Sequence, residues 1–492
     1  MWTPPERIKH SLPNANWPTN EEASRALLFS PLHYQALSLK TRTWVPAMVP
    51  WRATEKGEVS DDVLRWYERF AMGRPGAIVI EATGVRDIPS GPLLRIGHDR
   101  YVDGLRRLVD RVQKASKGET KLFIQLIDFL QIRRRPRVDQ FFHRFFELRT
   151  AHREALVNYF EDIRWMSASE LEVKTSLIEG DLSLWEATLT PRELRDLQFG
   201  QREEVNDLHL PHIKALPQQL PDLFARAAQR AQDAGFDGVE LHCAHAYTLA
   251  SFLSTTNKRN DGYGSNFEGR LRLPLEVYTA VRASVGENFV VGARILVDEV
   301  IANGTCVDTS AQYAQRFAEI GMDFISTSKG GRFEDALQPK IGEAAYPYTG
   351  QSGYECMPTI YSDQQGPFGR NLELMSLIRT SVRRSGYETP IIVAGGINTF
   401  DLAESTLQKE KGDIIGVARG SLADPDLWLK VRNGRGDEVR RCAYTNYCEA
   451  LDAQHKQVTC RLWDRLELDE PGLKRSHDGR RRLEAPLWKD QI

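Results

Sequence analysis

Eight short apolar runs, each followed by a longer amphipathic stretch, constrain this chain more than any other feature. The runs are TWVPAM (43–48), AIVIEA (77–82), KLFIQL (121–126), DGVELH (237–242), NFVVGARI (288–295), DFISTS (323–328), PIIVAG (390–395) and DIIGVA (413–418). They are apolar on both faces, the pattern of parallel strands covered on each side. Between them lie helical patterns such as DDVLRWYERFAMG, RYVDGLRRLVDRVQKA and SAQYAQRFAEIG, several ending in Gly, the usual left-handed helix stop. Eight β-then-α units in series predict an α/β fold, a (β/α)8 TIM barrel.

Two segments interrupt the alternation. The connection after the third run, residues 128–217, is rich in charge and aromatics. A structureless loop of that length is improbable, so a largely helical insertion over one barrel face is expected. The second, 329–369, carries Tyr346, Tyr348, Tyr354 and Tyr361, which either pin a long loop or touch substrate. Both follow strand C-termini, the face where barrel active sites are built. The expected division is an N-terminal extension (1–26), the barrel (27–440) and a cysteine-containing extension (441–492) whose last stretch of about 30 residues reads as a charged, solvated tail.

Composition narrows the function classes. With 492 residues, 65 Lys+Arg against 67 Asp+Glu and a net charge of −2, the chain lacks the basic surplus of a nucleic-acid binder. The basic run Arg133-Arg134-Arg135-Pro136-Arg137 reads as a solvated face, with attraction of an anionic substrate as the weaker reading. Six scattered cysteines make no disulfide framework. The start MWTPPERIKHSLP has no apolar h-region, and no apolar run approaches the ~20 residues of a membrane helix. A soluble cytoplasmic protein with a small-molecule substrate is expected, with neither nucleic acid nor membrane as partner. The insertion makes a homo-oligomer plausible.

Polar residues at strand carboxyl ends are the ones to weigh. They are Gln125, His242, Arg294, Gly395-Gly396 and Ala418-Arg419, and the densest cluster is VELHCAHAY, with His242, His245 and Tyr247. Two imidazoles and a phenol suit a substrate carbonyl: the imidazoles donate to a developing oxyanion, and the phenol supplies a proton. The following NKRNDGYGSNFEGR supplies turn residues that could hold the cluster in place. AGGIN and GVARG are small-residue turns before helices, suited either to a phosphate or to a tight turn alone. Taken singly, Gln125 also suits a loop cap, and Arg294 a partner of Asp298.

The residues HCAHAY…FLS…N…R.DGYG.S.E.R…R, with FSPL near residue 30, Pro46-Ala47-Met48, Gln125, Arg294, AGGI and AR, resemble the Old Yellow Enzyme family of FMN-dependent ene-reductases. The likeness covers roughly 27–435 less the insertion. It implies an FMN-binding barrel with NAD(P)H as co-substrate. It also implies that Val45, Pro46, Ala47 and Met48 line the flavin ring, that Ala82 packs beside it, and that Gln125 bonds its pyrimidine edge. Arg294 would stabilise the reduced flavin, His242 would contact cofactor and substrate, and Gly395, Gly396, Ala418 and Arg419 would cradle the phosphate. His242, His245 and Tyr247 would be catalytic.

The chain also departs from that pattern. Where relatives carry His-Ala-Gly-Arg it reads Ile127-Asp128-Phe129-Leu130, Pro50 and Trp51 stand near a position that offers a substrate-contacting Tyr in some relatives, and one glycine is missing around Tyr263-Gly264-Ser265-Asn266. Cys442, Cys448 and Cys460 resemble the 2,4-dienoyl-CoA reductase branch, which binds a [4Fe–4S] cluster through four cysteines. Here Thr445 stands where a further thiolate is needed, so a remnant without a cluster or other metal is expected. No G-x-G-x-x-G element for a second nucleotide domain is present.

The favoured activity is NAD(P)H-dependent reduction of an activated C=C bond, with hydride from flavin N5 and a proton from Tyr247. The rivals are flavin-dependent oxidation of an amine or N-methyl group, and a non-catalytic barrel serving in binding or assembly.

Overall fold

The computed structural model describes residues 6–131, 137–200, 202–330 and 350–488. Arg133 to Pro136, Tyr346 and Tyr348 fall outside them. Eight parallel strands close into one barrel: β1 Thr43–Val45, β2 Ala77–Gly84, β3 Lys121–Ile127, β4 Gly238–Cys243, β5 Val290–Leu296, β6 Ile325–Ser328, β7 Ile391–Ala394 and β8 Ile414–Gly416. Each coincides with one of the eight apolar runs. Every strand but the short polar-edged ends is buried on both faces, because helices cover the outside and side chains fill the inside.

Aromatic packing plugs the amino-terminal half of the barrel. Trp44, Phe123 and Phe324 meet with ring centroids 5.0 and 5.1 Å from Trp44. The hairpin Leu32–Tyr34 with Leu37–Leu39 joins the same apolar cluster. Gly292 is required there, since a Cβ on it would stand 2.5 Å from the Phe324 ring. With one end filled, the space left inside the barrel for a ligand is at the carboxyl ends of the strands.

The described residues of the 128–217 segment are largely helical, as expected, with helices Val138–Arg144, Thr150–Phe160, Glu170–Glu179, Leu182–Thr188 and Pro191–Phe199. Capping boxes start two of them, at Ser169 with Glu172 and Thr190 with Glu193. It has its own apolar core around Phe142, Leu156, Val173 and Leu177. Its returning segment is bolted to the barrel through Arg259, whose Nη1 donates to the carbonyls of Val205 (2.8 Å) and Ile213 (3.1 Å). Arg137, the described end of the basic run, is paired with Asp139 at 2.8 Å.

The expected solvated tail is a packed one. Arg481, Arg482, Leu483, Ala485 and Trp488 are buried. Arg69, itself buried against Asp426, donates through Nε to the carbonyl of Ala485 (3.0 Å), and Arg481 Nη1 donates to Gln457 O (2.6 Å). The charges in this segment serve as hydrogen-bond anchors, which charge counting along a sequence reads as solvation. Among the described residues, no helix is long and apolar enough to cross a membrane.

Candidate active site

One cavity occupies the carboxyl-terminal mouth. Pro46, Ala47 and Met48 line it from the loop after β1, Ala82 from β2, Gln125 from β3 and Arg294 from β5. His242, at the end of β4, lines it together with His245 and Tyr247 from the following turn. Gly395 and Gly396 follow β7, and Ala418 and Arg419 follow β8; all four line the same space. Val45 is not among the lining residues: it ends β1 within the apolar core.

Strand register explains the convergence. A β-bulge at Glu81 shifts β2 by one residue, so that Ala82 pairs with Gln125; regular pairing then sets Gln125 beside Glu240, His242 beside Arg294, and Arg294 beside Ser326. Gln125 Nε2 donates to Glu240 Oε1 at 2.6 Å, and Arg294 Nη1 to Ser326 Oγ at 3.0 Å. Arg294 therefore turns toward Glu240 and Ser326 rather than Asp298. Glu240 was not singled out from the sequence, yet it stands two residues before His242, on the same face of β4. The period-2 alternation of a strand was the signal that could have found it.

The imidazoles and phenol sit together. His242 lies 5.2 Å from His245 and 5.0 Å from Tyr247, ring centroid to centroid. The Ala244 N–H points at His242 Nδ1 (3.4 Å), leaving Nε2 as the nitrogen that carries hydrogen. His245 Nε2 is 2.9 Å from Ser328 Oγ. His245 and Ala246 both have left-handed backbone, φ 57° and 58°, a conformation costly for residues with a Cβ and common at functional sites. Burial, then the Arg294 charge, pushes His242 down to about 3, and His245 is also held well below the usual imidazole range by burial and by His242. Burial, with help from Asp452, pushes Tyr247 up to about 12. At neutral pH the cluster holds two neutral imidazoles and an un-ionised phenol, three hydrogen-bond donors without a formal charge.

The turns after β7 and β8 form the other end. Gly395 and Gly396 have φ of 116° and 74°, and a Cβ on Gly396 would fall 1.9 Å from the Pro367 carbonyl oxygen. Only glycine fits there. Arg419 Nη1 is held by Pro358 O (2.8 Å) and Asn446 Oδ1 (2.5 Å). Asn371 Oδ1, buried in the cavity wall, has no hydrogen-bond partner among the described residues. Backbone-exposing turns beside a fixed guanidinium, an amide at Gln125, a cation at Arg294 and an unused acceptor suit a flavin mononucleotide.

Residues 441–458 roof this cavity, a role no sequence signal announced. Tyr444, Cys448, Glu449, Asp452 and Val458 line it. The roof is tied down by Val458 N–H to Pro50 O (3.0 Å) and by Trp51 Nε1 to Asp452 Oδ1 (2.5 Å). Burial pushes Glu449 up to about 7. The thiols of Cys442, Cys448 and Cys460 are all raised by burial. With Thr445 in place of a fourth thiolate, the donors do not match a [4Fe–4S] cluster. Among the described residues, no group of three or more His, Cys, Asp or Glu could hold a metal ion. Tyr354 accepts the Asp363 N–H (2.9 Å) and so pins its loop; Tyr361 is exposed and pairs in a short strand with Lys9.

The family model for NADH:flavin oxidoreductase / NADH oxidase matches residues 212–438. An NADH oxidase of Thermoanaerobacter brockii is 28% identical over 424 residues, which is 85% of this chain and 52% of that protein. An N,N-dimethylglycine/sarcosine dehydrogenase of Chromohalobacter salexigens is 26% identical over 444 residues, covering 88% and 52%. The chain thus spans about half the length of these curated relatives. The Old Yellow Enzyme homologue of Zymomonas mobilis shares the fold at a TM-score of 0.53 and 19% identity, over 94% of this chain and 99% of that one. The strand-four motif, the closed barrel and the family match lead to one conclusion: the chain is similar to the NADH:flavin oxidoreductase / NADH oxidase family and shares its fold with an Old Yellow Enzyme homologue.

Proposed function

We propose that the chain is an FMN-dependent oxidoreductase that uses NAD(P)H to reduce the C=C bond of an α,β-unsaturated carbonyl compound. The observation that carries this reading is the meeting of His242, His245 and Tyr247 in the same cavity as Gln125, Arg294 and the glycine turns. FMN, when bound, supplies the chemistry of accepting a hydride from the nicotinamide and returning it to the substrate β-carbon.

The chain's own residues do the rest. Gly395, Gly396, Ala418 and Arg419 would hold the phosphate, Gln125 the pyrimidine edge, and Arg294 a positive charge beside the ring. His242 Nε2–H and the His245 imidazole would donate to the carbonyl oxygen as enolate charge develops, where loss of one donor costs about 10²–10³ in rate. Tyr247 would deliver a proton to the α-carbon, a general-acid contribution of about 10²–10⁴.

Stopped-flow absorbance separates the two half-reactions. Tyr247→Phe should leave flavin binding and reduction by NAD(P)H intact while slowing reoxidation by an enone by about 10²–10⁴. Reoxidation at the wild-type rate would remove Tyr247 as proton donor.

A second reading, oxidation of an amine or N-methyl group, is favoured by the carboxylates of Glu449 and Asp452 in the cavity wall, which suit a cationic substrate. The sarcosine dehydrogenase relative supports it too. Anaerobic mixing with NADH, NADPH or sarcosine decides between the readings by which donor bleaches the flavin.

A further inference from the structure

A second cavity, of about 640 Å³, opens beside the first. Val49, Ala82 and Tyr247 belong to the walls of both, so the two cavities adjoin along these three residues. The far wall comes from parts of the chain that the barrel does not need for closure. Leu93 follows β2, Phe129 and Leu130 begin the insertion, and Ile213 and Leu216 lie where it returns. Another side is closed by Trp51 stacked on His455 from the roof, ring centroids 4.1 Å apart.

The charges in this wall are already engaged. Arg86 Nε donates to Asp128 Oδ1 at 2.5 Å. Glu203 accepts from the Gln131 N–H (3.0 Å) and contacts His212 Nε2 (2.7 Å). An apolar enclosure whose charges are internally engaged offers little to repay the desolvation of a phosphate, carboxylate or ammonium. It does reward burial of apolar surface. Aromatic faces from Trp51, His455 and Phe129 add a preference for flat rings.

We propose that this second cavity takes a bulky, uncharged, ring-bearing apolar arm of the substrate, whose reacting double bond lies at Tyr247 in the first cavity. The enzyme would then favour aryl-substituted enones over small enones. That the arm belongs to an enone rests on the reductase reading above; the apolar arm itself rests on the cavity alone. Specificity is set by the insertion and by the changed segment after Gln125, while the chemistry stays with the barrel.

Equilibrium dialysis of the flavin-loaded protein against trans-chalcone and cyclohex-2-enone reads the cavity without turnover. Trans-chalcone should bind about tenfold more tightly or better, the discrimination that an added apolar group earns in a hydrophobic pocket. Leu93→Trp, which fills the space, and Phe129→Asp, which places a charge in it, should each bring that ratio toward one. Melting curves identify any variant that fails to fold, and the other variant then stands in for it. Equal affinities in the wild type, or a chalcone preference that survives substitution, would overturn the proposal. Suppose neither enone reoxidises the reduced flavin while the variants still abolish the chalcone preference. The reductase reading then falls and the cavity assignment stands. Turnover of cyclohexenone with no chalcone preference means the reverse.

Discussion

The guanidinium of Arg202, from the helical insertion, donates a hydrogen bond to the carbonyl oxygen of Ala246, between the two residues expected to do the chemistry, His245 and Tyr247. Ala246 is one of two consecutive left-handed residues, and its carbonyl also accepts from Ser251 Oγ at 3.2 Å. A backbone conformation of this kind persists only where its surroundings over-determine it. The insertion therefore does more than cover the barrel: it holds the turn that presents the imidazole and the phenol.

Arg202 should act as a positioning residue. Arg202→Met is expected to slow flavin reoxidation by an enone about tenfold to a hundredfold, the scale of a misplacement of about 1 Å. Flavin reduction by NAD(P)H and flavin affinity should hardly change. Arg202→Lys should recover part of the loss. Equal slowing of both half-reactions would show a general structural defect instead.

The pH dependence follows from the buried cluster. His242 is pushed down to about 3, His245 well below its ordinary range, and Tyr247 up to about 12. These three groups should then contribute no step to the enone reoxidation rate between about pH 5 and pH 10, whereas an ordinary imidazole would titrate near 6.5; any step near 7 belongs to Glu449 in the roof and should vanish in Glu449→Gln. The same shift has a stability sign. Below about 6.5 the unfolded chain binds protons that the folded imidazoles refuse, so these two groups make stability fall as pH drops from about 6.5 toward 3. Stopped-flow rates across this range test the first statement, and melting temperatures of wild type against His242→Gln below pH 6.5 test the second.

Gly396→Ala should empty the protein of flavin. The added Cβ meets the Pro367 carbonyl in a left-handed turn, so the backbone itself must move. Strain of this kind costs of order 1–3 kcal/mol. Weaker FMN retention on gel filtration, with a lowered melting temperature, is the expected outcome. Tight binding at wild-type affinity would remove this turn from the phosphate site.

Iron should amount to well under one equivalent per chain, because a Thr445 hydroxyl cannot take the place of a thiolate. Iron and acid-labile sulfide assays on freshly purified protein measure this directly. Close to four of each per chain would require a ligand from outside the set Cys442, Cys448 and Cys460.

Much of the fold was legible because its signals are local. Each barrel strand is buried on both faces, so each reads as a continuous apolar run whatever its neighbours, and eight such runs separated by helical patterns leave little choice but a barrel. The strand-four cluster was legible for the same reason: His242, His245 and Tyr247 are close in sequence as well as in space. The roof was not. Glu449, Asp452 and Val458 reach the cavity from more than 200 residues beyond Tyr247, and nothing in CAYTNYCEALDAQHKQV distinguishes a packed strap from a solvated tail. The charged residues of the last segment misled for a physical reason: Arg481 and Arg482 have their hydrogen bonds satisfied by carbonyls and carboxylates that only the folded chain brings to them.

The sequence by itself thus determined the barrel, its strand boundaries to within a few residues, the helical nature of the insertion and the residues at the strand ends, since periodicity and strand-end chemistry are properties of contiguous residues. Only the tertiary structure decided that Arg202 holds the His245–Tyr247 turn, that Glu240 underlies Gln125, that Val45 faces the core, and that insertion and roof enclose a second apolar cavity beside Tyr247. Those relationships join residues far apart in the chain, and their energies come from burial and hydrogen bonding, which exist only once the barrel has closed.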